Sequence, residues 1–180
     1  MPFWSGFVLA VVTAFPCAVA FSGAQDPAPI HPSHVRSENS RIAAMLLRGE
    51  RESPTVHRLL SELAASDVIL IVDTVETAQC DCSRAVSCLS LVTADARTRY
   101  LRAKVSLRQI DDRLIAQIAH ELQHAAEIAA VLEIRDEPAL ARFYAARSEG
   151  CDGSSCFETD AAIDVQRAVT RELVQATRPK

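Results

Sequence analysis

The hydrophobic pattern turns helical at Ser53-Pro54, a serine cap with proline in the first turn, followed by Val56, Leu59, Leu60 and Leu63 at spacings of three and four. This predicts a helix from Ser53 to about Ala65, with a shorter helical segment before it over Arg41 to Leu47. The period then changes. Val68-Ile69-Leu70-Ile71-Val72 is a continuous apolar run rich in β-branched side chains, the signature of a strand buried on both faces. Cys88-Leu89-Ser90-Leu91-Val92 predicts a second strand, and Ala94-Asp95-Ala96-Arg97 a turn. From Thr98 to Leu107 the chain alternates, with Leu101, Ala103 and Val105 on one face and Tyr100, Arg102 and Lys104 on the other. That alternation predicts a half-exposed strand at the edge of the sheet.

Helical spacing returns and stays. Asp111-Asp112 places acids at the positive end of a long helix, whose apolar stripe is Ile115, Ile118, Leu122, Ala125, Ala129 and Leu132. Asp136-Glu137-Pro138 starts another helix reaching about Arg147, Gly150 to Cys156 reads as a loop, and Phe157 to Ala176 as a last helix. Strands grouped ahead of helices predict an α+β domain over residues 53–178, a small three-stranded antiparallel or mixed sheet backed by helices.

The N-terminus follows other rules. No charged side chain occurs before Asp26, and Phe7-Val8-Leu9-Ala10-Val11-Val12 is followed by small residues at Ala18-Val19-Ala20 and Ser22-Gly23-Ala24. Residues 1–24 are expected to be a signal peptide cleaved near Ala20, although the stretch lacks the usual Lys or Arg. The alternative is an uncleaved signal anchor, for which the run is short and broken at Pro16. Residues 25–52, rich in Pro, Ser and His at their start, are expected to form a linker and the short helix, with His31 and His34 in solvent. The expected location is therefore secreted or periplasmic.

Export permits disulfides. Five cysteines would remain after cleavage: Cys80, Cys82, Cys88, Cys151 and Cys156. Cys151 and Cys156 flank Asp152-Gly153-Ser154-Ser155 and make a candidate small disulfide ring, and Cys80 or Cys82 could pair with Cys88. A thiolate zinc site is the other reading, which the spacings do not favour. A net charge of −4 and the absence of any basic or aromatic-basic stripe exclude nucleic acid as an expected partner.

The candidate chemistry lies in His120-Glu121-Leu122-Gln123-His124. At i and i+4 on a helix the two imidazoles stack on one face, where both can approach one Zn²⁺ at about 2.0–2.1 Å. Glu121, rotated by about 100°, is poorly placed to bind the same ion but can reach a water on it and act as general base. The plainer alternative is an incidental pair of core or solvated histidines. The pair projects opposite the apolar stripe, with Arg113, Gln117 and Glu127, so the helix is expected to present it on a cleft wall.

A hydrolytic site needs a third protein donor and one open position. Glu127 lies about 4.5 Å further along the axis than His124, a position better suited to hydrogen-bonding a ligand than to binding the ion. Glu158, at the start of the last helix, is the candidate third ligand, and the small Ala161 and Ala162 would let that helix pack close. Against it, Ser155-Cys156-Phe157-Glu158 fits a capping box in which Glu158 bonds its own helix terminus. Asp160 and Asp164 are read as surface charge, the alternative being a hydrogen-bond partner for one of the histidines.

This layout of strands, HExxH helix and Glu-bearing helix resembles a minimal gluzincin, in the manner of small bacterial zincin-like metallopeptidases. The resemblance covers roughly Val68 to Ala176. It implies a zincin-like core, Zn²⁺ as cofactor, His120, His124 and Glu158 as ligands, Glu121 as catalytic base for zinc-activated water, and a peptide or protein substrate paired with an edge strand at about Tyr100 to Val105. The chain departs from larger gluzincins in having Ala162 where an Asp often follows the ligand Glu, and an oxyanion-stabilising side chain is not identifiable, Tyr144 and Tyr100 being better read as packing. The alternative function is a non-catalytic zincin-like binding module of the cell envelope.

Overall fold

Asn39 and Ser53 each stop one segment and start the next. In the computed structural model, whose described residues are Met1, 34–74, 87–147 and 158–178, Asn39 caps α1 (Ser40–Glu52) by accepting from the amides of Arg41 and Ile42. Ser53 ends α1 and caps α2 (Pro54–Ala64), its hydroxyl accepting from Val56 N at 3.1 Å. Ahead of them lies a two-residue strand, β1 (Val35–Arg36). The stretch read as linker and short helix thus supplies β1 and α1 to the core from residue 35 onward, with Ile42, Met45 and Leu46 buried. His34 is not solvated as expected: it is half-buried, and its Nδ1 lies 3.0 Å from Val68 O.

The fold is α+β, with five helices and a four-stranded sheet among the described residues rather than the three strands expected. β2 (Val68–Thr74), β3 (Ser87–Ala94) and β4 (Arg99–Val105) join β1 in the order β1-β2-β4-β3. β1 and β4 both run parallel to β2, and β3 runs antiparallel to β4, with an irregularity between Leu91 and Thr93. The expected edge strand, Tyr100 to Val105, is therefore interior, and β3 holds the edge beside it. Alternation reports that one face of a strand is covered, which is as true of a central strand in a one-sided sheet as of an edge. The same correction applies to β2: Val68, Leu70 and Val72 are buried, while Ile69 and Ile71 on the other face are only half-buried.

Helices cover the inner face. α3 (Asp111–Ala129) lies against β2, β3 and β4 and against α1, α2 and α5 (Asp160–Ala176). Asp111 and Asp112 favour the helix start as expected and also hold α1 to it, pairing with Arg41 and Arg48 at 2.8 Å each. α4 (Glu137–Ala145) is capped by Asp136, whose carboxylate accepts from Ala139 N at 2.7 Å. No helix among the described residues is long and apolar enough to cross a membrane.

One buried cation ties the sheet to the far end of α3. Arg99, the first residue of β4, is fully buried on the inner face, and its guanidinium donates to the carbonyls of Ile128 and Val131 at 2.7 Å and of Ala129 at 3.1 Å. These oxygens close the negative end of the helix dipole, where a cation is favoured. Asp67 completes the set by accepting from Nε at 3.0 Å and from Nη2.

The expected signal peptide, Cys80, Cys82 and the Cys151–Cys156 ring lie outside the described residues. Cys88 is disulfide-bonded.

Candidate metal centre

α3 is more deeply enclosed than its sequence pattern implied. Every residue from Leu114 to Leu122 is buried, and so are His124, Ala125 and Ile128. The polar face that was expected to line an open cleft is instead covered by α5 and the start of β3, with His120 6%, His124 3% and Glu121 2% exposed. Ala162, fully buried, is the small residue that allows α5 to approach; Ala161 is exposed.

The approach of α5 brings in Glu158. Its capping-box role is replaced, because the N-cap of α5 is Thr159, whose hydroxyl accepts from Ala162 N at 3.2 Å. Glu158 thus stands just outside the helix and turns its carboxylate to the histidines. Its Oε1 lies 3.2 Å from His120 Nε2 and 3.9 Å from His124 Nε2, and the two Nε2 atoms are 3.1 Å apart. Two donors held about 2.0–2.1 Å from one tetrahedral ion are about 3.3 Å from each other. The triangle of His120, His124 and Glu158 is close to that size, and the three residues form a group able to hold a metal ion. Glu158 is also the one member of the set open to solvent, its side chain 45% exposed.

Each histidine of the group has neighbours that hold it. His124 Nδ1 faces Glu127 Oε2 at 3.2 Å, and Glu127 Oε1 accepts from Thr159 Oγ1 at 2.8 Å. Glu127 therefore contacts His124 and Thr159 and stays outside the group of His120, His124 and Glu158. The His124 ring also packs edge-on against the buried ring of Tyr144, whose hydroxyl donates to the His124 carbonyl at 3.4 Å. Tyr144 is thus a packing partner of the site, and Tyr100 lies on the other face of the sheet. His120 Nδ1 is buried on the side of the ring away from Glu158, and Gln166 of α5 interacts with the ring. Asp160 and Asp164 are exposed, as expected, and Asp164 pairs with Arg167 at 3.5 Å.

The electrostatics follow from crowding charge into a covered site. Burial works against protonated His120, but its hydrogen bond to Glu158 and the charges of Glu121 and Glu158 outweigh that and raise its pKa. Burial likewise opposes ionised Glu158 and Glu127, yet the bonds from His120 to the first and from His124 to the second hold both carboxyls low. Glu121 goes the other way: burial dominates the attraction of the histidines and pushes its carboxyl up.

Two residues with no role in the sequence reading sit beside Glu121. Ser87 Oγ donates to Glu121 Oε1, and Gln117 Nε2 donates to Ser87 Oγ. Gln117 carried a weak signal, standing one turn before Glu121 on the same helix. Ser87 carried none, since only the sheet brings it there.

No family model, curated protein or solved structure matches the chain.

Proposed function

We propose that the protein is an exported zinc-dependent peptidase with a minimal zincin-like core, in which His120, His124 and Glu158 hold the ion and Glu121 is the general base. The observation that carries this reading is the convergence of three donor atoms from two separate elements on a triangle of zinc dimensions. Three protein residues would hold the ion, the number that hydrolytic zinc sites use. A bound Zn²⁺ supplies Lewis acidity, polarising the scissile carbonyl and lowering the pKa of a coordinated water. Glu121 would take up the proton released on attack and return it to the leaving amine. Glu127 fixes the tautomer of His124 by accepting from Nδ1, which turns Nε2 toward the ion. The substrate would be a peptide segment approaching past exposed Glu158 and the β3 edge.

A second reading, a non-catalytic binding module of the cell envelope, draws on one observation. Both histidines and Glu121 are nearly inaccessible, so a substrate has little surface to meet beyond Glu158. Metal analysis and a hydrolysis assay separate the two. The peptidase reading expects about one zinc per chain, cleavage within a mixture of quenched fluorogenic peptides, and a Glu121→Gln variant that keeps zinc and loses cleavage. Bound zinc with no cleavage by the wild type selects the binding module, which could act with or without metal, and no bound zinc refutes the peptidase reading.

A further inference from the structure

Among the described residues Glu121 is the only acid in the buried class, and its two oxygens are not equivalent. Oε1 accepts from Ser87 Oγ, whereas Oε2 is buried with no hydrogen-bond partner among the described residues. The direction of the chain behind Oε1 is set by what each group can do. Gln117 Nε2 can only donate, so the Ser87 oxygen accepts from it, and the single Ser87 proton is committed to the carboxylate. Gln117 Oε1 in turn accepts from Gln166 Nε2 at 3.5 Å, so the chain runs from α5 through α3 to the first residue of β3 and ends on Glu121.

A buried carboxylate oxygen left bare is costly, because it forfeits water without a replacement. The network bonds Oε1 alone, and no described protein group bonds Oε2. Rotation of the carboxylate about its last torsion is nearly free in an unheld glutamate, and the Ser87 bond removes that freedom.

We propose that Ser87 and Gln117 are positioning residues, which clamp Glu121 by Oε1 and present Oε2 as the oxygen that takes up the proton. The inference rests on the peptidase reading for the identity of the reaction, but the clamp itself does not depend on cleavage. Ser87 is the first residue of the edge strand β3, so that strand end sets the orientation of the base.

The test compares Ser87→Ala and Ser87→Thr in the full chain. With zinc loaded and the quenched peptide mixture as probe, Ser87→Ala should lower kcat about 10- to 100-fold, the scale of a misoriented catalytic group. KM and zinc content should stay at their wild-type values, and Ser87→Thr, which keeps the hydroxyl, should restore most of the rate. In the zinc-free protein, the infrared carboxylate band of ¹³C-labelled Glu121, assigned by difference against Glu121→Gln, should shift in Ser87→Ala and return in Ser87→Thr. An unchanged kcat, a loss of kcat that follows a loss of zinc, or a band that does not move overturns the proposal. Where the wild type cleaves nothing, the peptidase reading fails and the band alone decides the clamp. Where Ser87→Ala does not fold, Gln117→Met takes its place in both measurements, with a smaller loss and a smaller band shift expected and no change in either overturning the clamp.

Discussion

His124 Nδ1 stands 3.2 Å from Glu127 Oε2, one helical turn away, while its Nε2 faces His120 and Glu158. The carboxylate accepts a hydrogen bond from Nδ1 on the side away from His120 and Glu158 and leaves the lone pair of Nε2 directed toward them. Removing that acceptor frees the ring to rotate and to change tautomer. Glu127→Ala should weaken zinc binding about 10- to 100-fold while leaving the helical circular dichroism intact. Competition against a chromophoric chelator at fixed pH measures it, and an unchanged affinity would show that Tyr144 and packing alone orient the ring.

Arg99 is a second place where one side chain holds several elements. Truncating it leaves Asp67 with only the Arg135 contact at 3.2 Å and strips the carbonyls of Ile128, Ala129 and Val131 of a shared donor. Arg99→Met should destabilise the fold by about 3–5 kcal/mol, the range for a buried pair broken on one side. Lysine should not rescue it, because a single ammonium cannot match the guanidinium fork. Urea unfolding of the two variants reads both effects, and a loss below about 1 kcal/mol would contradict the assignment.

Asp67 makes that link sensitive to acid. The hydrogen bond from Arg99 holds its carboxyl below the usual range. A carboxyl with a lowered folded pKa adds stability above its unfolded value of about 3.9, and that contribution disappears as the pH falls through the folded value. The urea midpoint of the wild type should therefore drop on acidification below about pH 4, and Asp67→Asn should be weaker at neutral pH with a shallower acid slope. Part of the slope should persist, since Asp95 is also held low by the amides of Arg97 and Thr98. Parallel acid slopes for the two proteins would rule out Asp67 as a source.

Gly49 offers a prediction of sign. Inside an exposed helix, glycine to alanine gains about 1 kcal/mol. Here a Cβ would come within 3.0 Å of Ile115 Cγ2 on α3 and 3.3 Å of Val56 Cγ1 on α2, and all three residues are buried. Neither neighbour can retreat without disturbing the core, so Gly49→Ala should instead destabilise, by about 1–3 kcal/mol. A higher melting temperature in the variant would mean that α1 can shift away from α3.

The features legible in the sequence were those that local rules govern. The spacing of His120 and His124, the Ser53-Pro54 start and the acids at Asp111 and Asp112 each act within a turn or two of helix. Glu158 was reachable because a three-donor requirement narrowed the choice, although Ser155 offered it a competing local partner and only the cap at Thr159 resolved the matter. Strand order was not legible: Leu101, Ala103 and Val105 announce a covered face, but nothing in β4 says that β2 and β3 flank it. The burial of the histidine face was missed for the same reason, since polar spacing on α3 gives no sign that α5 will cover it. Ser87 and Arg99 act through partners far along the chain and carried no pattern at all.

The distribution of the three donor residues also makes metal affinity a gauge of tertiary order. His120 and His124 lie within one turn and would face a common point in any helical fragment, whereas Glu158 joins them only when α5 has docked on α3. A chain emerging from its N-terminus therefore passes first through a weak two-donor state. On the proposed zinc reading, tight binding would wait for the last helix to arrive, so a chelator titration during refolding would time the closure of α5 without any added label.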